Sequence, residues 1–117
     1  MDILITGDRQ EFCPKSFETR FLNGLSKLNI SIDSVRNIVR TAFGGAELRA
    51  EEFARDTGIG VVRIPLPDNM GKHARKAALS TAIDNVDLII ILDDENDMYC
   101  WHAKNKAIAS GKPMAVV

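Results

Sequence analysis

The sequence predicts an α/β protein, a Rossmann-like three-layer sandwich around a mostly parallel five-stranded sheet, in a single domain spanning residues 1–117. Three observations predict it. Short, nearly continuous apolar runs at Met1–Thr6 and Val86–Leu92 have the pattern of strands buried on both faces. Stretches of helical period separate such runs along the whole chain. Glycine, proline or acidic residues mark the passages from one to the next.

The first strand, Met1–Thr6, ends at Gly7-Asp8. Pro14 stands where a first helical turn tolerates it, and Phe17, Phe21, Leu25 and Leu28 follow at helical spacing. From Val35 to Phe43 the β-branched and aromatic content predicts a second strand, although Arg36, Asn37 and Arg40 blur its alternation. Gly44-Gly45 breaks that run, and Ala46, Ala50, Phe53 and Ala54 predict a helix up to Gly58. Val61–Leu66 is a third strand closed by Pro65 and Pro67, and a small-residue stripe of Ala74, Ala77, Ala78 and Ala82 predicts a helix over 72–84. The strongest strand, Val86–Leu92, empties into the acidic loop Asp93-Asp94-Glu95-Asn96-Asp97. Met98–Ser110 is the last helix, Gly111 its cap and Pro113–Val117 a closing edge strand. Strands alternating with helices imply crossover connections, which make neighbouring strands parallel.

Composition narrows the function classes. A net charge of -1 and a pI near 6.1 lack the cationic surplus that duplex nucleic acid requires. The one dense basic run, Lys72, His73, Arg75 and Lys76, reads equally as a solvated helix face or a binding patch. Cys13 and Cys100 are far apart, with no CxxC pair or Cys/His cluster, so no metal site is expected. The longest apolar stretch, Leu88–Leu92, falls far short of the ~20 residues that span a bilayer, and no secretory leader is legible, so a cytoplasmic chain is expected.

In open parallel sheets a ligand binds outside the carboxyl ends of the strands. Here those ends carry Thr6-Gly7-Asp8-Arg9, Phe43-Gly44-Gly45-Ala46-Glu47 and residues 93–97. A glycine pair before a helix lets backbone amides approach an anion, and phosphate is the obvious one. Thr6 and Arg9 add a hydroxyl and a guanidinium at the adjacent loop. Asp94, Glu95 and Asp97 could bind a ribose diol or hold a cation, although an acidic loop beside a polyphosphate requires Mg²⁺ or Arg75 to intervene. Glu47 is the candidate catalytic carboxylate for cleaving an N-glycosidic bond, against the plainer reading that an acid there complements the helix dipole. Trp101 reads as partly exposed, a ligand platform or an interface anchor, while Cys100, Ala103 and Ala107 form the apolar stripe of its helix. His73 and His102 have no sequence neighbours that make a triad.

The string Ile5-Thr6-Gly7-Asp8-Arg9, then Phe43-Gly44-Gly45-Ala46, then Glu52-Phe53-Ala54-Arg55-Asp56-Thr57-Gly58-Ile59 resembles the YspA-like branch of the SLOG superfamily over nearly the whole chain. Thr6 to Arg9 correspond to that branch's TGSR-like turn, with Asp in place of Ser. Gly44, Gly45 and Ala46 correspond to its GGARGAD-like loop, without the following Arg-Gly-Ala, so Glu47 takes the acidic position. The family's GxxRN-like turn is reflected only in Arg75-Lys76, and Glu95-Asn96-Asp97-Met98 replaces its GGxGT turn. The resemblance implies a Rossmannoid domain that senses or sequesters a nucleotide or nucleotide-derived ligand. The ligand would be held by Thr6, Gly7, Asp8, Arg9, Gly44, Gly45, Ala46, Arg75 and Asp94, with Mg²⁺ as an accompanying ion. It also implies a homo-oligomer and, in some relatives, N-glycosidase or deoxyribosyltransferase activity. A decayed family member that docks a protein partner through Trp101 or the 72–76 patch is a further alternative.

Overall fold

The computed structural model describes residues 1–8, 12–41, 44–94 and 97–117. Its sheet has the order β3-β2-β1-β4-β5, from β1 (Asp2–Gly7), β2 (Asn37–Arg40), β3 (Gly60–Arg63), β4 (Leu88–Leu92) and β5 (Met114–Val116). Every described pairing is parallel, with Leu4 opposite both Val39 and Ile89. The two runs most apolar in the sequence are therefore neighbours at the centre. All residues of β4 are buried, whereas β3, on an edge, is largely exposed. That contrast follows from position: a central strand is covered on both faces, and an edge strand carries charge that discourages further pairing.

The helices divide between the faces. α1 (Pro14–Lys27) and α2 (Gly44–Thr57) pack Phe17, Phe21, Leu25, Ala46, Ala50 and Ala54 against Ile3, Ile5, Ile38 and Ile90. α3 (Ala74–Asp84) and α4 (Met98–Ala109) pack Ala82, Ile83, Cys100, Ala103 and Ala107 against Leu4, Val39, Ile89 and Ile91. The small-residue stripes let helices lie close to the sheet. Gly24 in α1 takes this furthest, since a Cβ there would come within 3.0–3.3 Å of the Ile90 side chain.

Some boundaries move from the sequence expectation, for local reasons. The second strand begins at Asn37 rather than Val35 because Ser31 caps a 3-10 turn at Ile32–Ser34 that occupies the approach. It ends at Arg40 among described residues, and Phe43 lies outside them. β3 stops at Arg63; one more ladder-like bond, Ile64 N–H to the Arg40 carbonyl, precedes Pro65, which has no N–H to donate. The third helix starts at Ala74, after a 3-10 turn at Gly71–His73. Asp97 caps α4 by accepting the Tyr99 amide at 2.6 Å, and Gly111 takes φ +67° just beyond its end. Among the described residues, no helix is long and apolar enough to cross a membrane.

Candidate functional site

The strand order reverses direction between β1 and β4, which places the topological switch point at the carboxyl ends of these two strands. Gly7 closes the gap there. A Cβ on it would lie 2.5 Å from the Leu92 carbonyl oxygen and 2.9 Å from the Ala46 Cβ, so only glycine lets β1, β4 and the start of α2 meet. Asp8 follows, with its amide donating to the Leu92 carbonyl at 3.0 Å and its side chain fully buried. Its carboxylate accepts the Asp94 amide at 2.5 Å on Oδ2 and the Cys100 thiol at 3.7 Å on Oδ1.

This buried carboxylate sets the chemistry of the crevice. Burial pushes the Cys100 thiol well above its ordinary value, and the negative charges of Asp93, Asp8 and Asp97 push the same way. The thiol is therefore a donor to Asp8 and not a nucleophile. Asp8, Asp93 and Cys100 bring one ligand atom each within 4.8 Å of one another, a juxtaposition that the separation of the two cysteines in sequence does not reveal. Asp93 is paired with the Lys104 ammonium, and a protonated thiol is a poor metal ligand. The cluster reads as an internal network that ties the β1 and β4 ends to α4.

Glu47 forms the second cluster. It lies in the first turn of α2 and is only 2% exposed. The Thr6 hydroxyl at the end of β1 donates to Oε1 at 3.1 Å, and the Thr41 hydroxyl just past β2 donates to the same oxygen at 2.8 Å. An acid serving only the helix dipole needs no such burial; this one joins two strand ends to a helix start. Beside it, Gly44 is exposed with φ +64°, a conformation that favours glycine, while Gly45 and Ala46 are buried. Gly44 thereby presents an exposed face of this turn to solvent.

The remaining expected residues are spread around this edge. Asp94 is clamped by Arg20 of α1 through two bonds of 2.7 and 2.9 Å, and Arg20 also donates to the Val117 carbonyl at 2.6 Å. Arg75 stacks over the Tyr99 ring at 5.0 Å, on the α3–α4 face. Nearby, Lys72, His73, Lys76, Met98 and Tyr99 line a shallow groove of about 330 Å³. Trp101 is 61% exposed. His102 meets the Ser80 hydroxyl at 3.1 Å, and burial holds its pKa below the ordinary value. Arg9, Glu95 and Asn96 lie outside the described residues.

The structure places Thr6, Gly7, Ala46 and Glu47 side by side; sequence reasoning singled out none of Thr41, Lys104 and Arg20, and it named Asp93 only within the acidic loop and Cys100 only within an apolar stripe. The burial of Glu47 had a local signal: at 100° per residue it projects within about 20° of Ala54, inside the apolar arc of α2. No family model and no curated protein matches this chain. The resemblance to the SLOG superfamily accordingly rests on its motifs alone.

Proposed function

We propose that the carboxyl edge of the sheet binds a nucleotide or nucleotide-derived phosphorylated ligand, which the protein senses or sequesters. The observation that carries this reading is the exposed, positive-φ Gly44 at the start of a 14-residue helix on that edge. First-turn amides of a helix have no partner within it and sit at the positive end of its dipole, so a phosphate over Gly44 is stabilised twice. With Asp97 and the ion-paired Asp93 and Asp94, the edge has no cationic surplus there for a long polyphosphate without Mg²⁺, so a ligand with one phosphate and a sugar diol suits it best. A cytoplasmic setting fits two cysteines that are both free, Cys13 and Cys100.

A thermal-shift panel of nucleoside monophosphates, ADP-ribose and cyclic nucleotides tests the reading, since a ligand that binds only the folded state raises its stability. The expected result is a higher Tm with a monophosphate than with the matching triphosphate in the absence of Mg²⁺. Gly44→Asn keeps a residue that tolerates positive φ but lays a side chain over the turn, and it reduces the shift. No shift at millimolar ligand, or a shift indifferent to Gly44→Asn, argues against the reading.

A second reading, N-glycosidase or deoxyribosyltransferase activity, is favoured by one observation: Glu47 is a buried carboxylate oriented by two hydroxyls beside the glycine turn. Release of free base from a nucleoside monophosphate, lost in Glu47→Gln with the fold intact, supports it; no release contradicts it. The solvent-facing row Met98, Trp101 and Ile108 on α4 supports the expected homo-oligomer or a protein partner.

A further inference from the structure

Away from the glycine turn, the carboxyl ends of β2 and β3 enclose a groove of about 500 Å³ lined by Arg40, Thr41, Leu48, Glu51, Arg63, Ile64 and Pro65. At its base Glu51 is 4% exposed and accepts Arg63 Nε at 2.6 Å and Arg63 Nη2 at 2.7 Å. Arg55 Nη2 stands 3.0 Å from the same carboxylate, and Arg40 Nη1 stands 3.7 Å from it. The hydrogen bond from Arg63 holds Glu51 below the ordinary carboxylate range against the opposing effect of burial, so it is an anion. Three guanidiniums around one carboxylate leave a surplus of two positive charges.

Arg40 is the incompletely matched member. Its side chain is only 13% exposed. Its Nε donates to the Thr41 carbonyl at 2.9 Å, while its terminal nitrogens make no hydrogen bond among the described residues. No fully buried side-chain nitrogen or oxygen lacks a partner among these residues, so those terminal nitrogens reach solvent, and Arg40 lines the groove. Arg63, 63% exposed, commits one edge of its fork to Glu51 and keeps further N–H donors. Leu48, Ile64 and Pro65 complete the lining with an apolar surface, with Leu48 49% exposed.

We propose that this groove is an oxyanion site for a phosphate monoester with a flat apolar body, the phosphate on the terminal nitrogens of Arg40 and Arg63 and the body against Leu48, Ile64 and Pro65. A phosphate monoester carries about −1.5 to −2 charges and three acceptor oxygens at neutral pH, so it can engage both Arg40 and Arg63, the two guanidiniums that line the groove. Guanidinium forks suit phosphate geometry, and the charge-assisted bonds are the strong kind. The groove adjoins the Gly44 turn through Thr41, which lines it and donates to Glu47, but its phosphate would rest on Arg40 and Arg63 rather than on the helix amides.

Calorimetric titration of the full chain with phenyl phosphate, inorganic phosphate and benzoate tests it. Phenyl phosphate is expected to bind more tightly than either control, because only it satisfies both the charge and the apolar wall. Arg40→Gln and Arg63→Gln each weaken it by about tenfold or more, one lost charge-assisted contact in each case. Leu48→Glu, at an exposed position that the fold does not depend on, abolishes binding by adding a negative charge while leaving both arginines in place, so a folding defect in Arg40→Gln does not shield the proposal. No phenyl phosphate binding at millimolar concentration, binding equal to that of benzoate, or binding untouched by Leu48→Glu and Arg63→Gln overturns it.

Discussion

At the scale of single residues, the carboxyl edge is held by buried polar groups whose worth depends on their partners. Replacing Glu47 by Leu leaves the Thr6 and Thr41 hydroxyls buried without their acceptor, whereas Gln keeps an oxygen for them. Urea unfolding should therefore show Glu47→Leu less stable than Glu47→Gln by about 1–3 kcal/mol; equal costs would mean that the hydroxyls do not depend on this side chain. Gly7→Ala presses a methyl onto the Leu92 carbonyl, a backbone atom that cannot rotate away, and should cost about 1–3 kcal/mol in the same experiment. The two thiols should differ sharply. Cys13 is exposed and the backbone amide of Ser16, then that of Lys15, lowers its pKa, while Cys100 is buried and raised. A thiol-reactive probe at neutral pH is expected to label Cys13 in the folded protein and Cys100 only after denaturation; native labelling of Cys100 would contradict the Asp8–Cys100 network.

At the scale of elements, α2 links the two candidate sites, with Glu47 turned toward the strand ends and Glu51 one turn later turned toward three arginines. The hydrogen bond from Arg63 holds Glu51 below the ordinary carboxylate range in the folded chain. Above that range both folded and unfolded chains carry the charge, and its stabilising contribution is full. As pH falls, the unfolded chain takes up the proton first, and the contribution drains away until the folded carboxyl is protonated too. The midpoint of unfolding should fall as pH is lowered through and below the ordinary carboxylate range, and Glu51→Gln should flatten that fall; an unchanged slope would show that Glu51 is not the linked group. What the sequence made legible divides along the same lines. β1, β4 and the alanine stripes were readable because central burial and helix packing leave a local period. The ends of β2 and β3 were not, because Ser31 and Pro65 act through a cap and a missing donor rather than through hydrophobicity. Arg20–Asp94 and Asp8–Cys100 were illegible for another reason: each joins residues far apart in the chain, and such a contact imposes no pattern on its neighbours.

At the scale of the whole molecule, the parallel order β3-β2-β1-β4-β5 sends helices to both faces and collects the carboxyl ends along one edge. Along that edge the charge is divided. Asp8, Asp97 and the ion-paired Asp93 and Asp94 gather at the β1–β4 side, Gly44 and Glu47 stand at the centre, and Arg40 and Arg63 lie with Glu51 toward the β3 side. In the proposed function, this division turns the phosphate of the ligand toward the glycine turn and any diol toward the acidic end. This division is a property of the strand order, since the same residues on a differently ordered sheet would not form a gradient. The most direct measurement is a titration of the isotopically labelled protein with a nucleoside monophosphate, followed by backbone amide chemical shifts. The account predicts that the largest saturable changes fall on the amides of Gly44, Gly45, Ala46 and Glu47. Changes confined to other parts of the molecule, or none at millimolar ligand, would contradict it.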